Sequence, residues 1–179
     1  MNEHVESVTV ETQIKILENV RICTTHYGIA IQVYCGLRTC ETQAKLYRQS
    51  RTRPEIMQKV QSYNDKGFPM LGEALMAAGP QSGVLGKHVT KAGPGESWHQ
   101  YGEAVDCVPV KNGKAIWESD EPEWEIFGSA AEHCGLHWSG RWKKFKETAH
   151  VQVKAGGNPL SSFRDEIALF DALTRANSI

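Results

Sequence analysis

Two histidines and one aspartate, His99, Asp106 and His150, are the residues whose types and spacing suit metal chemistry. Zinc favours imidazole nitrogen and carboxylate oxygen, and a hydrolytic zinc site keeps one position for water. Three such ligands leave that position open. Glu147 stands three residues before His150, near enough to reach water on the metal without ligating. Zinc lowers the pKa of that water to about 7. A carboxylate beside it can accept the proton and pass it to a leaving amine. Arg38 falls where a strand is expected to end and a helix to begin. A fixed guanidinium there would clamp a substrate carboxylate or steady an oxyanion.

Each residue also has a plainer reading. A single histidine near a strand is more often a core or surface residue than a ligand. His4, His26, His88, His133 and His137 keep that reading, His137 lying nearest the expected cleft. Glu147 alone reads as a surface carboxylate and Arg38 alone as a salt-bridge partner. The patterns His-x6-Asp and Glu-x-x-His are short, so spacing alone leaves both readings open.

The elements that must position these residues are mixed. A helix is expected over 8–26, with Ile14, Leu17 and Val20 on one face and Gly28 as the stop. Residues 29–33, rich in β-branched side chains, read as a strand. Thr39 caps a following helix that runs to about Gln49, with Glu41 in its first turn. Two short helices are expected near 54–65 and 71–78, and 79–95 reads as loop. Residues 103–110 form a strand, Asn112-Gly113 a tight turn and 114–117 a returning strand. A helix over 121–134 puts Trp124, Phe127, Ala131 and Cys134 on one face, with Gly135 at its end. Residues 150–153 alternate like a strand. A last helix over 160–175 is expected to turn Phe163, Ile167 and Phe170 to one side. The fold class is α+β, with helices packed on a small, mainly antiparallel sheet.

Composition bounds the function. The 179 residues are 40% hydrophobic and 23% charged, which suits one compact domain over 1–179. Twenty basic and twenty-one acidic residues give a net charge of −1, so nucleic acid is not an expected partner. The basic cluster Arg141, Lys143, Lys144 and Lys146 reads as a solvated face. No apolar run reaches membrane-spanning length, and the start lacks the pattern of a signal peptide. The expectation is a monomer kept in the cytoplasm until something releases it. Five cysteines, an odd number, argue against a disulfide framework; they read as buried or half-buried thiols.

The run Ser97-x-His99-x-x-Gly102-x-Ala104-x-Asp106, followed by Glu147-x-x-His150, resembles the zinc D-alanyl-D-alanine carboxypeptidase and L-alanyl-D-glutamate peptidase family. Gly36-Leu37-Arg38-Thr39 with Gln43 and Leu46-Tyr47 is similar to its early arginine motif. Val89–Gly95 is similar to the approach segment of phage endolysins of the group. Gly135–Trp142 with Phe145 is similar to their late tryptophan motif. The resemblance spans about 29–49 and 86–153. It implies zinc at His99, Asp106 and His150, a base at Glu147, and a substrate or transition-state contact at Arg38. It also implies substrate-side roles for Ser97, Gln43 and Trp138, with Ser97 not a nucleophile, and that superfamily's α+β fold.

The sequence departs from the pattern in three places. Glutamate stands at 147, where endopeptidase members often carry aspartate and carboxypeptidase members glutamate. Arg141 stands where aspartate is common. Residues 51–85 look like an insertion, either a cleft wall or a surface elaboration. Residues 158–179 offer one helix and no separate wall-binding domain. The expected activity is cleavage of L-alanyl-D-glutamate in peptidoglycan stem peptides, by an endolysin serving host lysis. The alternatives are a D-alanyl-D-alanine carboxypeptidase or dipeptidase, and a non-catalytic zinc module that binds wall or protein.

Overall fold

The structure is a computed structural model that describes residues 2–78 and 88–177. In chain order its elements are α1 (Glu3–Glu6), α2 (Val10–Tyr27), β1 (Ala30–Cys35), α3 (Cys40–Arg48), α4 (Arg53–Asp65) and α5 (Pro69–Ala77). Then come β2 (Ala104–Lys111), β3 (Lys114–Ala115), α6 (Pro122–His133), β4 (His137–Trp138), β5 (His150–Gln152) and α7 (Glu166–Ala176). Turns of 3-10 helix lie at Trp98–Tyr101, Ser139–Arg141 and Pro159–Ser162. The fold is α+β, as expected. No helix among the described residues is long and apolar enough to cross a membrane.

The chain divides into two compact units, one from 1–37 and 101–156 and the other from 38–100 and 157–178. The first holds the whole sheet. Its strands run in the order β1-β2-β5-β4, with β3 paired to β2, and every pairing is antiparallel. The β2–β3 hairpin turns at Asn112 and Gly113, both at positive φ, as an Asn-Gly tight turn requires. Helices α2 and α6 pack on each other, and Ile16, Cys23, Phe127, Val105 and Val151 share one apolar core.

Helix α2 forms where expected, capped by the Thr9 hydroxyl and closed by Gly28 at φ +67°, but its buried face is a different one. Ile14 is 64% exposed and Leu17 is exposed too, while Thr12, Ile16, Asn19 and Cys23 are inside. The reason is polar satisfaction. Thr12 Oγ1 donates to the Gly102 carbonyl at 2.9 Å, and Asn19 Nδ2 to the Phe127 carbonyl at 3.1 Å. Hydrogen-bonded polar side chains can therefore be buried at little net cost.

The second unit packs α3 and α4 against α5, around Tyr63, Ile56, Leu71 and Leu75. Thr39 caps α3 through Thr42 N–H at 3.1 Å. Thr52 and Glu55 form a capping box on α4. Helix α5 has no side-chain cap of its own; its Met70 N–H donates instead to Glu166 Oε1 at the start of α7, at 2.6 Å. The carboxylate meets the positive end of the helix there. The expected helix over 160–175 is broken into a 3-10 turn and α7, which starts at the Asp165 cap. Its expected face is also reversed. Ile167 is 75% exposed and Phe170 is exposed, while Leu169, Leu173 and Ala176 are buried. Within 51–85, α4 and α5 lie close to the expected positions; residues 79–85 of that insertion, and 79–87 of the expected loop, lie outside the described residues.

Candidate metal centre

In the first unit, three strands bring candidate residues into one row. Asp106 of β2 is directly paired with His150 of β5, and on the other side with Cys35 of β1. Paired residues on antiparallel strands share a face. Asp106 is 8% and His150 7% exposed, and Asp106 Oδ1 lies 3.1 Å from His150 Nδ1. The opposite face carries Val105 and Val151, paired with each other in the core. The hydrophobic alternation of β2 and β5 is thus what turns the polar pair the other way.

His150 is held by Gln152, two residues along the same strand and so on the same face. Gln152 Nε2 donates to the Lys154 carbonyl at 2.6 Å, which leaves its Oε1 facing His150 Nε2 at 2.9 Å. The imidazole must donate from Nε2 to that oxygen, so Nδ1 is the atom turned toward Asp106. An imidazole nitrogen opposite a carboxylate calls for positive charge, either a proton on Nδ1 or a metal cation. Burial alone would push the His150 pKa down. The hydrogen bond and charge of Asp106, with Gln152 and the Glu147 charge, outweigh it and raise it above the ordinary value. A carboxylate oxygen and an imidazole nitrogen converging in a buried, oriented pair fit the donor set of a zinc site.

Glu147 is half-buried and begins the turn that ends at His150, whose N–H donates to the Glu147 carbonyl at 3.1 Å. Ser139 and Trp138 fix this turn. Ser139 Oγ donates to the Glu147 carbonyl and lies 3.1 Å from the His150 carbonyl. Trp138 Nε1 donates to the Thr148 carbonyl at 2.7 Å. Its ring is buried against Gly128 and Gly140, where a side chain on either glycine would collide with it. Trp138, expected on the substrate side, is thus placed as a support of the turn. Trp142 tilts over His150, ring centroids 5.8 Å apart. Arg141 turns to α6, with its guanidinium 2.5 Å from Glu125 and 3.2 Å from Glu132.

The second unit holds the other candidates in a rigid frame. His99 is 1% exposed, in the 3-10 turn at Trp98–Tyr101. Its carbonyl accepts from Arg38 N–H at 3.1 Å, which ties it to the segment that opens α3. The residues leading to it are pinned by side chains. Gln43 Nε2 donates to the Ala92 carbonyl at 2.7 Å, Tyr63 Oη to the Pro94 carbonyl at 2.8 Å, and Gly95 N–H to Gln100 Oε1 at 2.8 Å. Buried Glu96 accepts from Gly93 N–H at 2.9 Å and from Lys59 Nζ at 2.6 Å. Gly95 holds φ +77° with Leu71 beneath it. Ser97 is half-buried, and its carbonyl accepts from Gln100 N–H at 3.0 Å. Gln43, expected to touch substrate, is fully buried, and its Oε1 has no hydrogen-bond partner.

Sequence reasoning missed Gln152 and Ser139, which hold His150 and its turn, and did not place Cys35 opposite Asp106. The strand alternation that marked His150 also put Gln152 on its face, so that signal was present. Ser139 lies within the Gly135–Trp142 run, where the tryptophans carry the pattern. Cys35 carried no local signal, because a register shift sets its position.

Residues 90–153 match the family model described as D-alanyl-D-alanine carboxypeptidase. The chain is 25% identical over 142 residues to the peptidoglycan L-alanyl-D-glutamate endopeptidase CwlK of Bacillus subtilis (strain 168). That alignment covers 75% of this chain and 66% of CwlK, just under two thirds of the relative's length. Residues 90–153 of the chain are thus similar to the family that its motifs resemble. Two solved structures are similar at lower levels. The L-Ala D-Glu endopeptidase ChiX of Serratia marcescens gives a TM-score of 0.42 at 17% identity, over 85% of this chain and 84% of that one. The vancomycin resistance D,D-pentapeptidase VanY, in complex with Zn(II), gives 0.46 at 18% identity, over 93% and 78%.

Proposed function

We propose that this chain is a zinc peptidase that hydrolyses an amide bond in peptidoglycan stem peptides, between L-alanine and D-glutamate. The observation that carries the reading is the buried pair of Asp106 and His150, with His150 oriented by Gln152 and Glu147 on the adjoining turn. Asp106 and His150 would hold the ion, and His99 is proposed as the third ligand on its place in the sequence motif alone. The chemistry zinc supplies when bound is acidification of water to a pKa of about 7 and polarisation of a carbonyl. Glu147 takes the proton from the attacking water and delivers it to the departing amine. Arg38 binds a substrate carboxylate or the oxyanion, held beside His99 through its backbone. Trp138 and Ser139 keep the Glu147 turn in place.

The likeness to CwlK supports the L-alanyl-D-glutamate bond, and the 89–95 segment supports a lytic role of the phage endolysin kind, acting on the wall after release from the cytoplasm. A second reading, removal of a terminal D-alanine, is favoured by the description of the matched family and by glutamate at 147. Mass spectrometry of digested peptidoglycan separates them. The first requires new alanine carboxyl and glutamate amino ends, absent with Glu147→Ala. Free D-alanine from a pentapeptide, with no such ends, would replace it by the second. Tight binding to intact wall with no cleavage product at all would leave only a non-catalytic zinc module.

A further inference from the structure

We propose that Lys143, Lys144 and Lys146 form a docking surface for peptidoglycan strands, which binds carboxylates of the stem peptides next to the one being cut. This rests on the peptidoglycan reading above and adds the surface by which the polymer is held.

The run from Arg141 to Lys146 holds four cations in six residues, on a chain whose net charge is −1; the other residues together therefore carry −5. A polyanion is attracted to such a chain only where cations gather. Arg141 is already matched. Its guanidinium meets Glu125 and Glu132 of α6 and lies 5.0 Å from the Trp138 ring. Lys143, Lys144 and Lys146 are exposed, and none has a carboxylate partner among the described residues. Trp142 and Phe145, interleaved with them, are half-buried. The Trp142 ring lies 5.8 Å from that of His150. Both ends of the run are pinned. Trp142 N–H donates to the Ser139 carbonyl at 3.0 Å, and His150 N–H to the Glu147 carbonyl at 3.1 Å. The aromatic side chains thus anchor the run, and the three unmatched charges stay on the loop that carries Glu147 and His150.

Stem peptides repeat along a glycan strand, and each carries carboxylates. An ammonium is a compact charge with three donors on a flexible stem, so it accepts a carboxylate whose position varies. A guanidinium fork instead favours one fixed planar geometry. Three lysines with no unmatched arginine therefore suit a repeating, irregular polymer better than a single oriented ligand. Holding neighbouring stems raises the effective concentration of the scissile one at the site. The attraction acts between exposed charges, so salt must weaken it.

The experiment measures co-sedimentation of the zinc-loaded full chain with purified peptidoglycan from which hydrofluoric acid has removed phosphodiester polymers. Glu147→Gln is used as the parent, so that bonds stay intact. Binding should weaken about tenfold or more on going to about 1 M salt, where charges are screened beyond about 3 Å. This arm needs no lysine variant, and salt-independent binding would overturn the inference. Replacing Lys143, Lys144 and Lys146 together by glutamine should give the same loss at low salt, whereas replacing all three by arginine should retain binding. Zinc content and calorimetry identify any variant that fails to fold. A folded glutamine variant that binds as the parent does would also overturn the inference. Binding abolished by the acid treatment would assign the surface to phosphate polymers instead and overturn the carboxylate assignment. With Glu147 restored, the ratio of wall digestion to hydrolysis of a single soluble stem peptide should fall about tenfold in the glutamine variant; an unchanged ratio would count against docking. Lysine-dependent wall binding with no cleavage product would support the surface and remove the peptidase reading. Cleavage without lysine-dependent binding would do the reverse.

Discussion

Asp106 and His150 are direct partners across β2 and β5, with Oδ1 and Nδ1 3.1 Å apart, and Gln152 leaves His150 only one nitrogen to turn toward that carboxylate. The pair is therefore oriented by the sheet before any ligand arrives, and its consequences can be measured.

Asp106→Ala and His150→Ala should each abolish stoichiometric zinc binding and wall digestion. Either change leaves the partner buried without its counterpart, so stability should fall by about 3–5 kcal/mol in the metal-free protein. Elemental analysis and urea unfolding check both effects. Zinc retained at full stoichiometry by either variant would exclude that residue as a ligand.

Gln152→Leu should weaken zinc affinity by about 10–100-fold, the usual cost of losing a group that orients a metal-bound histidine. Competition against a chromophoric chelator reads this directly. Unchanged affinity would mean that the bond from His150 Nε2 to Gln152 does not select the ligating nitrogen.

Glu147→Gln keeps the shape of the turn and removes the base. Digestion should slow by about 10²–10⁴-fold, with zinc content unchanged. Loss of zinc along with activity would instead make Glu147 a ligand.

The metal-free protein should depend on pH in a defined direction. His150 has its pKa raised above the ordinary value of about 6.5. A raised folded pKa means that the stabilisation is complete below the unfolded value and is lost as pH rises through the folded one. Chelator-treated protein should thus lose stability with rising pH above about 6.5. Zinc affinity should climb over the same window, because the ion and the proton compete for one nitrogen. Urea unfolding and zinc titration across that range give the two slopes, and a flat pair would contradict the assignment.

Gly128→Ala places a methyl group into the Trp138 ring. Alanine normally favours a helix over glycine, by about 0.5–1 kcal/mol, but here overpacking should win and cost about 1–3 kcal/mol. Because Trp138 carries the Thr148 carbonyl of the Glu147 turn, activity should fall further than stability alone explains. Calorimetry and digestion at a temperature well below unfolding separate the two.

Most of the order of helices and strands, the Asn112-Gly113 hairpin, the Thr39 cap and the Gly28 stop were legible in the sequence, because each depends on neighbours within a few residues; the short α1 and β4 were not. The residues His99, Asp106, Glu147 and His150 stood out by type, but spacing left two readings open for each and the resemblance supplied the roles expected of them. Helix orientation was not legible. The apolar stripe of Ile14 and Leu17 pointed one way, and the carbonyls of Gly102 and Phe127 drew Thr12 and Asn19 inward instead. Likewise α7 turned Leu169 and Leu173 inward and left Ile167 and Phe170 outside. Hydropathy cannot register a hydrogen-bond partner some ninety residues away.

What the sequence determined alone was local: element types, their caps and the donor chemistry of the conspicuous residues. What tertiary structure decided was register. Pairing of β2 with β5 put Asp106 opposite His150, and the shift in β1 brought Cys35 into the same row. The physical reason is that side chains alternate with a period of two along a strand, so one residue of slip reverses the face they present. That slip is set by packing between strands distant in the chain, which no window of sequence contains.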